Sequence, residues 1–477
     1  MTKRHFLLAL SALSLPGAAF GQLNGAQLVQ PTAPPQTAKP TPPPVEEPWM
    51  ARPVSQGQSS WQSPAAEQGK SPALEPIDLP PAIEQGVDMI YIDEALVPKA
   101  VHENGPMSDM SFAAWSGAPV DFFTSVNPIY TKLRRGLVKY QQRWGSLPQL
   151  PVPEGPTLKI GMTGDRVAAL RTRLGLAGGD KYDPQLAALV KEFQTVHAIK
   201  PDGIAGSGTV EALNRGAQYY EQIILINLER AKRLPAPEEQ SKYLIVDAGD
   251  ARLSMWQNGR KVDEMKVVVG KAETATPMMA AYIRYADVNP YWNVPPELVR
   301  SLVGPRVVAQ GVKYLTDREY QVLTDYSDDA KLIDPTTVDW QAVVAGKDDV
   351  RLRRLPSPAN SMGMMKFMLP NYFGIYLHDS PEKDHFAKNE LWISNGCVRL
   401  EDYKRVAKFL FDGTIPKGQN PKVEDHVNLP DPVPVYMTYL TAQPTADGVQ
   451  FMADHYGRDA HLMERFGTQL MAAVRGL

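Results

Sequence analysis

Cysteine is nearly absent: Cys397 is the only one in 477 residues, so no internal disulfide is available. Also missing is an excess of basic charge. Fifty Lys and Arg stand against 53 Asp and Glu, a formal net charge of −3, which gives no footprint for nucleic acid. No apolar run is long enough for a membrane-spanning helix. Proline is the opposite case, with 43 residues, many of them between Gln30 and Pro81 beside glutamine, serine and alanine. That composition builds no core and predicts a disordered tether.

The first residues do have a pattern. Lys3, Arg4 and His5 precede the apolar run Phe6–Leu15, followed by Pro16-Gly17-Ala18-Ala19-Phe20-Gly21. Basic, apolar and small residues in this order predict a secretory signal peptide over 1–21, cleaved after Gly21. With no cysteine at the cleavage point, a lipoprotein is not expected. An exported protein with one unpaired thiol holds either a buried passenger or a reactive sulfur.

The residues around that thiol favour reactivity. His378 lies nineteen positions before Cys397, at the end of the β-branched and apolar run Ile375–Leu377, which reads as a strand. Cys397 sits in Ser394-Asn395-Gly396-Cys397-Val398-Arg399. A histidine and an arginine near a thiol promote its ionisation. Asn395 and Gly396 let the backbone turn and aim amide N–H groups at an oxyanion. The stretch reads as a cysteine acyl-transfer centre. Three alternatives compete: Cys397 as a buried small hydrophobe, His378 as a satisfied strand-end histidine, and a metal site of His378, His385 and Cys397.

In chain order, the sequence predicts a signal (1–21), a Pro-rich tether (22–84) and a helical scaffold (85–156). In the scaffold, Ile129, Leu133, Leu137 and Tyr140 share one face. Residues 157–216 predict three helices, with Val167, Leu170 and Leu174, then Leu186, Leu189, Val190 and Phe193, then Thr209, Val210 and Leu213 as core positions. Residues 217–240 predict an amphipathic linking helix. Strand signals then dominate 241–445, including the hairpin turn Asn258-Gly259. A charged, helical cap is expected at about 297–360, with the task of excluding water from the site, and a helical tail at 446–477.

Two units resemble known families. Gly161, Gly164, Val167, Leu170, Phe193, Gln194, Asp202, Gly203, Gly206 and Thr209 fill the pattern of the three-helix peptidoglycan-binding domain. The His378…Ser394-Asn395-Gly396-Cys397-Val398-Arg399 pairing resembles the signature of the L,D-transpeptidase catalytic domain. Supporting stretches are Val269-Gly270-Lys271 with Thr276-Pro277, Asn289–Pro296, Lys366-Phe367 with Pro370-Asn371, and Tyr376–Pro381. The order of parts is similar to the long periplasmic Gram-negative branch.

The resemblance implies a multidomain α+β protein with a β-rich catalytic domain, located in the periplasm. It implies an enzyme that cuts the bond to the terminal D-alanine of a stem tetrapeptide and holds the acyl group as a thioester. The acyl group passes to an amine of a neighbouring stem, making a 3→3 crosslink. Cys397 would be nucleophile and His378 base, with Gly396 and Asn395 at the oxyanion and Tyr376, Arg399, Trp292 and Ser394 contacting substrate. No metal or cofactor is implied; carbapenem-type β-lactams would acylate the thiol. Many members have histidine where Asn395 stands, so a mechanism using a ring nitrogen there does not carry over. L,D-carboxypeptidase, peptide-to-protein transfer and an inactive binding protein are the alternative functions.

Overall fold

A computed structural model of the chain describes residues 89–99, 126–327 and 329–463. The predicted signal, the tether, part of the scaffold (85–88 and 100–125) and the end of the tail (464–477) lie outside the described residues.

The strands, in chain order, are β1 (Ile90–Tyr91), β2 (Lys242–Asp247), β3 (Arg252–Gln257), β4 (Arg260–Gly270), β5 (Met279–Val288), β6 (Trp292–Val294), β7 (Tyr320–Leu323), β8 (Leu332–Ile333), β9 (Arg351–Arg354), β10 (Met365–Met368), β11 (Leu377–Asp379), β12 (Trp392–Ser394), β13 (Val398–Leu400), β14 (Asp425–Thr438), β15 (Ala442–Pro444) and β16 (Val449–Phe451). β3 and β4 form the expected hairpin. Asn258 and Gly259 both take positive φ, +49° and +70°, as a two-residue turn of this twist requires.

Eight strands pair in the order β5-β10-β11-β13-β4-β3-β2-β14, and β14 pairs back onto β5, so the sheet closes on itself. Leu244, Val246, Leu253, Met255, Val267, Val269, Phe367, Leu377, Val398 and Leu400 fill the interior. The alternate residues Tyr243 and Ile245 face a second cluster outside, with Trp256, Tyr436, Leu234, Met89 and Leu96. The segment that follows the predicted tether joins this layer: β1 adds a parallel strand beside Met279 and Ala280. The scaffold is therefore helical only in part.

Helices Asp165–Arg173, Pro184–Val196 and Ser207–Arg215 match the three predicted ones. Their core continues into helix Pro128–Tyr140, helix Ala217–Lys232 and the C-terminal residues Ala442, Val449, Phe451 and Leu462. The predicted tail thus opens with β16, the second strand of the hairpin β15–β16, before a helix at 458–463. Helix Ala217–Lys232 is buried on all faces rather than amphipathic, and several of its polar groups meet partners from the C-terminal segment. Arg230 meets Asp459 at 2.7 Å, and Asn227 donates to Thr441 at 2.9 Å. Asn127 caps helix Pro128–Tyr140 through Tyr130 N and also donates to the Ala231 and Leu234 carbonyls, tying the two helices end to end.

His197 lies in this helical core, stacked 3.8 Å from the Phe193 ring. Its Nδ1 meets the Phe193 carbonyl at 2.7 Å and its Nε2 the Tyr140 hydroxyl at 2.9 Å. Burial holds its pKa down at about 3, so the imidazole is neutral. A pKa below the unfolded value near 6.5 contributes stability above that pH, lost as pH falls from 6.5 toward 3. Between pH 7.5 and 5 this one group should cost about 2 kcal/mol. Urea denaturation at both pH values is expected to show the loss in the wild type and a smaller one in His197→Gln; equal losses refute the assignment.

The cap leaves the barrel after β5 and returns at β10. Its short helices accompany a four-stranded antiparallel sheet, β6-β9-β7-β8, so it begins at Trp292. Strands of two to four residues are too short to show an alternation. At its root, Asn289 takes φ +52° and donates its N–H to the Met364 carbonyl, while buried Asn360 donates to the Pro290 carbonyl. Gly363 (φ +63°) abuts Asp379: a Cβ there would lie 2.4 Å from the carboxylate oxygen.

Candidate active site

β11 and β13 run parallel, with Leu377 opposite Val398 and His378 opposite Arg399. Leu377, Val398 and Leu400 point into the barrel core. Side chains alternate along a strand, so Tyr376, His378, Cys397 and Arg399 share the other face. The register extends this face: Lys366 lies opposite His378, Asp287 opposite Lys366, and His426 opposite Asp287. A polar row of His426, Asp287, Lys366, His378 and Arg399 therefore crosses five strands.

Cys397 stands at the mouth of β13 after Gly396, whose φ of +110° few side chains tolerate. Buried Ser394 holds the turn: its hydroxyl donates to the Cys397 carbonyl at 2.6 Å and accepts the Gly396 N–H at 3.2 Å. Thr276 donates to the Gly396 carbonyl at 2.8 Å, and Thr274 to the Ser394 carbonyl at 3.1 Å. Gly396 N–H is thus engaged, while Cys397 N–H makes no hydrogen bond among the described residues. Asn395 is exposed.

The sulfur lies 3.7 Å from the Gly374 carbonyl, and Tyr376 beside it favours the ionised form. Burial pushes the thiol pKa up; Tyr376, Arg399 and Lys366 oppose this. His378 is 2% exposed, and burial first, then the Arg399 charge, bring its pKa down to about 3. The resting pair is therefore a neutral thiol and a neutral imidazole. His378 Nδ1 meets the Asp379 carbonyl at 2.6 Å, and the Met362 backbone also lies beside the ring; in the tautomer that donates from Nδ1 the lone pair is on Nε2. His378 and Cys397 are diagonal neighbours on paired strands, with no hydrogen bond between them among the described residues.

The other predicted residues are placed as follows. Arg399 Nη1 lies 3.6 Å from Glu382 Oε2, which also meets His385 Nε2 at 3.1 Å. His385 thus turns to Glu382, and no three His, Cys, Asp or Glu side chains converge for a metal among the described residues. Trp292 is buried in the cap core, its ring 6.4 Å from that of Tyr320. Tyr376 packs against both the cap core and the barrel core. Sequence reasoning gave no role to Thr274, to Thr276 and Lys366 beyond their places in motifs, or to Asp287 and Glu424. Strand register sets Asp287 beside Lys366, and Glu424 reaches them from the segment entering β14.

Comparisons with known proteins match two stretches of the chain. The family model described as "L,D-transpeptidase catalytic domain" matches residues 241–434, and "Putative peptidoglycan binding domain" matches 163–213. A curated protein of Haemophilus influenzae named "Putative L,D-transpeptidase" is 26% identical over 247 residues, 50% of this chain and 49% of the relative. The chain thus spans about half the length of that relative. Solved structures include an L,D-transpeptidase from Xylanimonas cellulosilytica (16% identity, 60% of this chain and 98% of that one, TM-score 0.19). Another is L,D-transpeptidase 3 from Mycobacterium tuberculosis in complex with a faropenem-derived adduct (11%, 43% and 62%, TM-score 0.21). Residues 241–434 thus match the L,D-transpeptidase catalytic domain, and residues 163–213, earlier in the chain, match a peptidoglycan-binding domain.

Proposed function

We propose that this protein is a periplasmic L,D-transpeptidase that forms 3→3 peptidoglycan crosslinks through a thioester on Cys397. The observation that carries the reading is an unpaired, half-buried thiol on the same sheet face as the buried imidazole of His378. In the first step the Cys397 sulfur attacks the carbonyl between the third residue of a stem tetrapeptide and its terminal D-alanine. The thiol proton passes to His378 Nε2, and the oxyanion forms beside the Cys397 N–H, a donor type that contributes about 10²–10³ in rate. Collapse breaks the amide bond, and His378 returns the proton to the departing D-alanine amine. In the second step the amine of a neighbouring stem attacks the thioester and gives a proton to His378. The sulfur leaves and is reprotonated.

Arg399 supplies positive charge for a carboxylate of the stem, in exchange for Glu382. Both steps need water kept out, which suits a cap whose core packs on Tyr376. The signal-like N-terminus supports the periplasmic assignment. A carbapenem-type β-lactam should acylate the same sulfur.

The test is incubation of purified protein with disaccharide-tetrapeptide and mass analysis of the products. Crosslinked dimers lacking one D-alanine are expected. Tripeptide alone would make the protein an L,D-carboxypeptidase. Transfer only to an added protein amine, or no product at all, would favour the other two readings.

A further inference from the structure

Lys366 has no part in the bond changes above, yet it sits directly behind the atoms that do. Its side chain is largely buried, with Nζ 2.8 Å from Asp287 Oδ2 and 3.7 Å from Glu424 Oε2. On its other side the ammonium lies 5.6 Å from the centroid of the ring of Tyr376, a neighbour of the sulfur. Every packed element brings a charged or titratable group to this spot. β5 supplies Asp287, and the segment entering β14 supplies Glu424. β14 adds His426, whose Nδ1 is 3.3 Å from Asp287 Oδ1. β11 contributes His378, the residue two before it is Tyr376, and β13 adds Arg399 beside His378. Glu424 also accepts the Tyr291 N–H at 2.7 Å, at the entry to the cap.

Burying an ammonium between carboxylates is a poor way to gain stability, because apolar residues of the same volume often serve as well or better. The arrangement makes sense if the charge itself is needed. An ammonium near an aromatic ring restrains it, and a positive charge near a sulfur favours the thiolate.

We propose that Lys366 is a positioning residue for Cys397. Clamped by Asp287 and Glu424, its ammonium braces the Tyr376 ring against the sulfur and sets the charge balance that governs loss of the thiol proton. The claim rests on Cys397 being the nucleophile, but its test does not depend on what the enzyme acts upon.

Cys397 is the only thiol in the chain, so the rate of iodoacetamide alkylation against pH reports on it alone. In the full chain, Lys366→Met should move the alkylation midpoint up by about one pH unit or more. Lys366→Arg, which keeps the charge, should stay within a few tenths of the wild type. Glu424→Gln removes a carboxylate from the other side of the ammonium and should move the midpoint down. Loss of packing alone cannot produce shifts of opposite sign. An unshifted midpoint in folded Lys366→Met, or shifts of the same sign in Lys366→Met and Glu424→Gln, would overturn the proposal. If Lys366→Met does not fold, an unmoved midpoint in Glu424→Gln overturns it equally. If the midpoints shift as stated while the wild type makes no product from tetrapeptide, the positioning role stands and the crosslinking reading falls.

Discussion

Cys397→Ala should make no crosslinked dimer and no tripeptide from disaccharide-tetrapeptide, a loss on the order of 10⁴–10⁶ in rate. It should also gain no mass on exposure to a carbapenem, where the wild type gains one adduct. No second thiol exists to substitute, so the covalent step has nowhere else to go. The side chain is small, and its sulfur is held only by the Gly374 carbonyl and by Tyr376, so the variant should melt within a few degrees of the wild type. A folded Cys397→Ala protein that still forms dimers would remove the nucleophile assignment. A dead variant that has also lost its cooperative melt would leave catalysis and folding confounded; Cys397→Ser, nearer in shape, then replaces it in the same assay.

What the sequence made legible follows from distance along the chain. The strand ending at His378 and the turn at Gly396 are local features, and the β-branched run and the small residues announce them. The three helices at 165–215 are legible for the same reason, since each shows its apolar spacing within four turns. The cap sheet was not legible because β6 to β9 are short and pair across intervening helices. Helix Ala217–Lys232 read as amphipathic because its polar residues look solvent-bound until Asp459 and Thr441 return from the far end of the chain to meet them. Lys366, Asp287 and Glu424 come from three remote segments, and only the pairing of β10 with β5 and the entry into β14 place them in one cluster. The protonation state was least accessible of all. A histidine beside a cysteine suggests an ion pair on paper; burial of both leaves them neutral.

That neutrality gives the second large effect. With its pKa near 3, His378 remains an unprotonated base across the whole range in which a free histidine would titrate. Wild-type kcat/KM for acylation should therefore show no acid limb near pH 6.5, where a solvent-exposed imidazole would lose activity about tenfold per unit of falling pH. Acid loss of the fold, which sets in as buried histidines are forced to protonate, has to be followed in parallel by circular dichroism. His378→Gln removes the proton acceptor and leaves only the small fraction of thiol already ionised. At pH 7 its acylation rate should fall by about 10²–10⁴. The rate should then climb with pH toward the raised thiol pKa, narrowing the gap to the wild type in alkaline solution. A variant within threefold of the wild type at pH 7 would show that the imidazole does not accept the thiol proton. A wild-type limb at 6.5 would show that the ring titrates freely, in conflict with a side chain 2% exposed. Stopped-flow acylation by a chromogenic β-lactam over pH 5–9 measures both, because it follows the first covalent step without needing the acceptor amine.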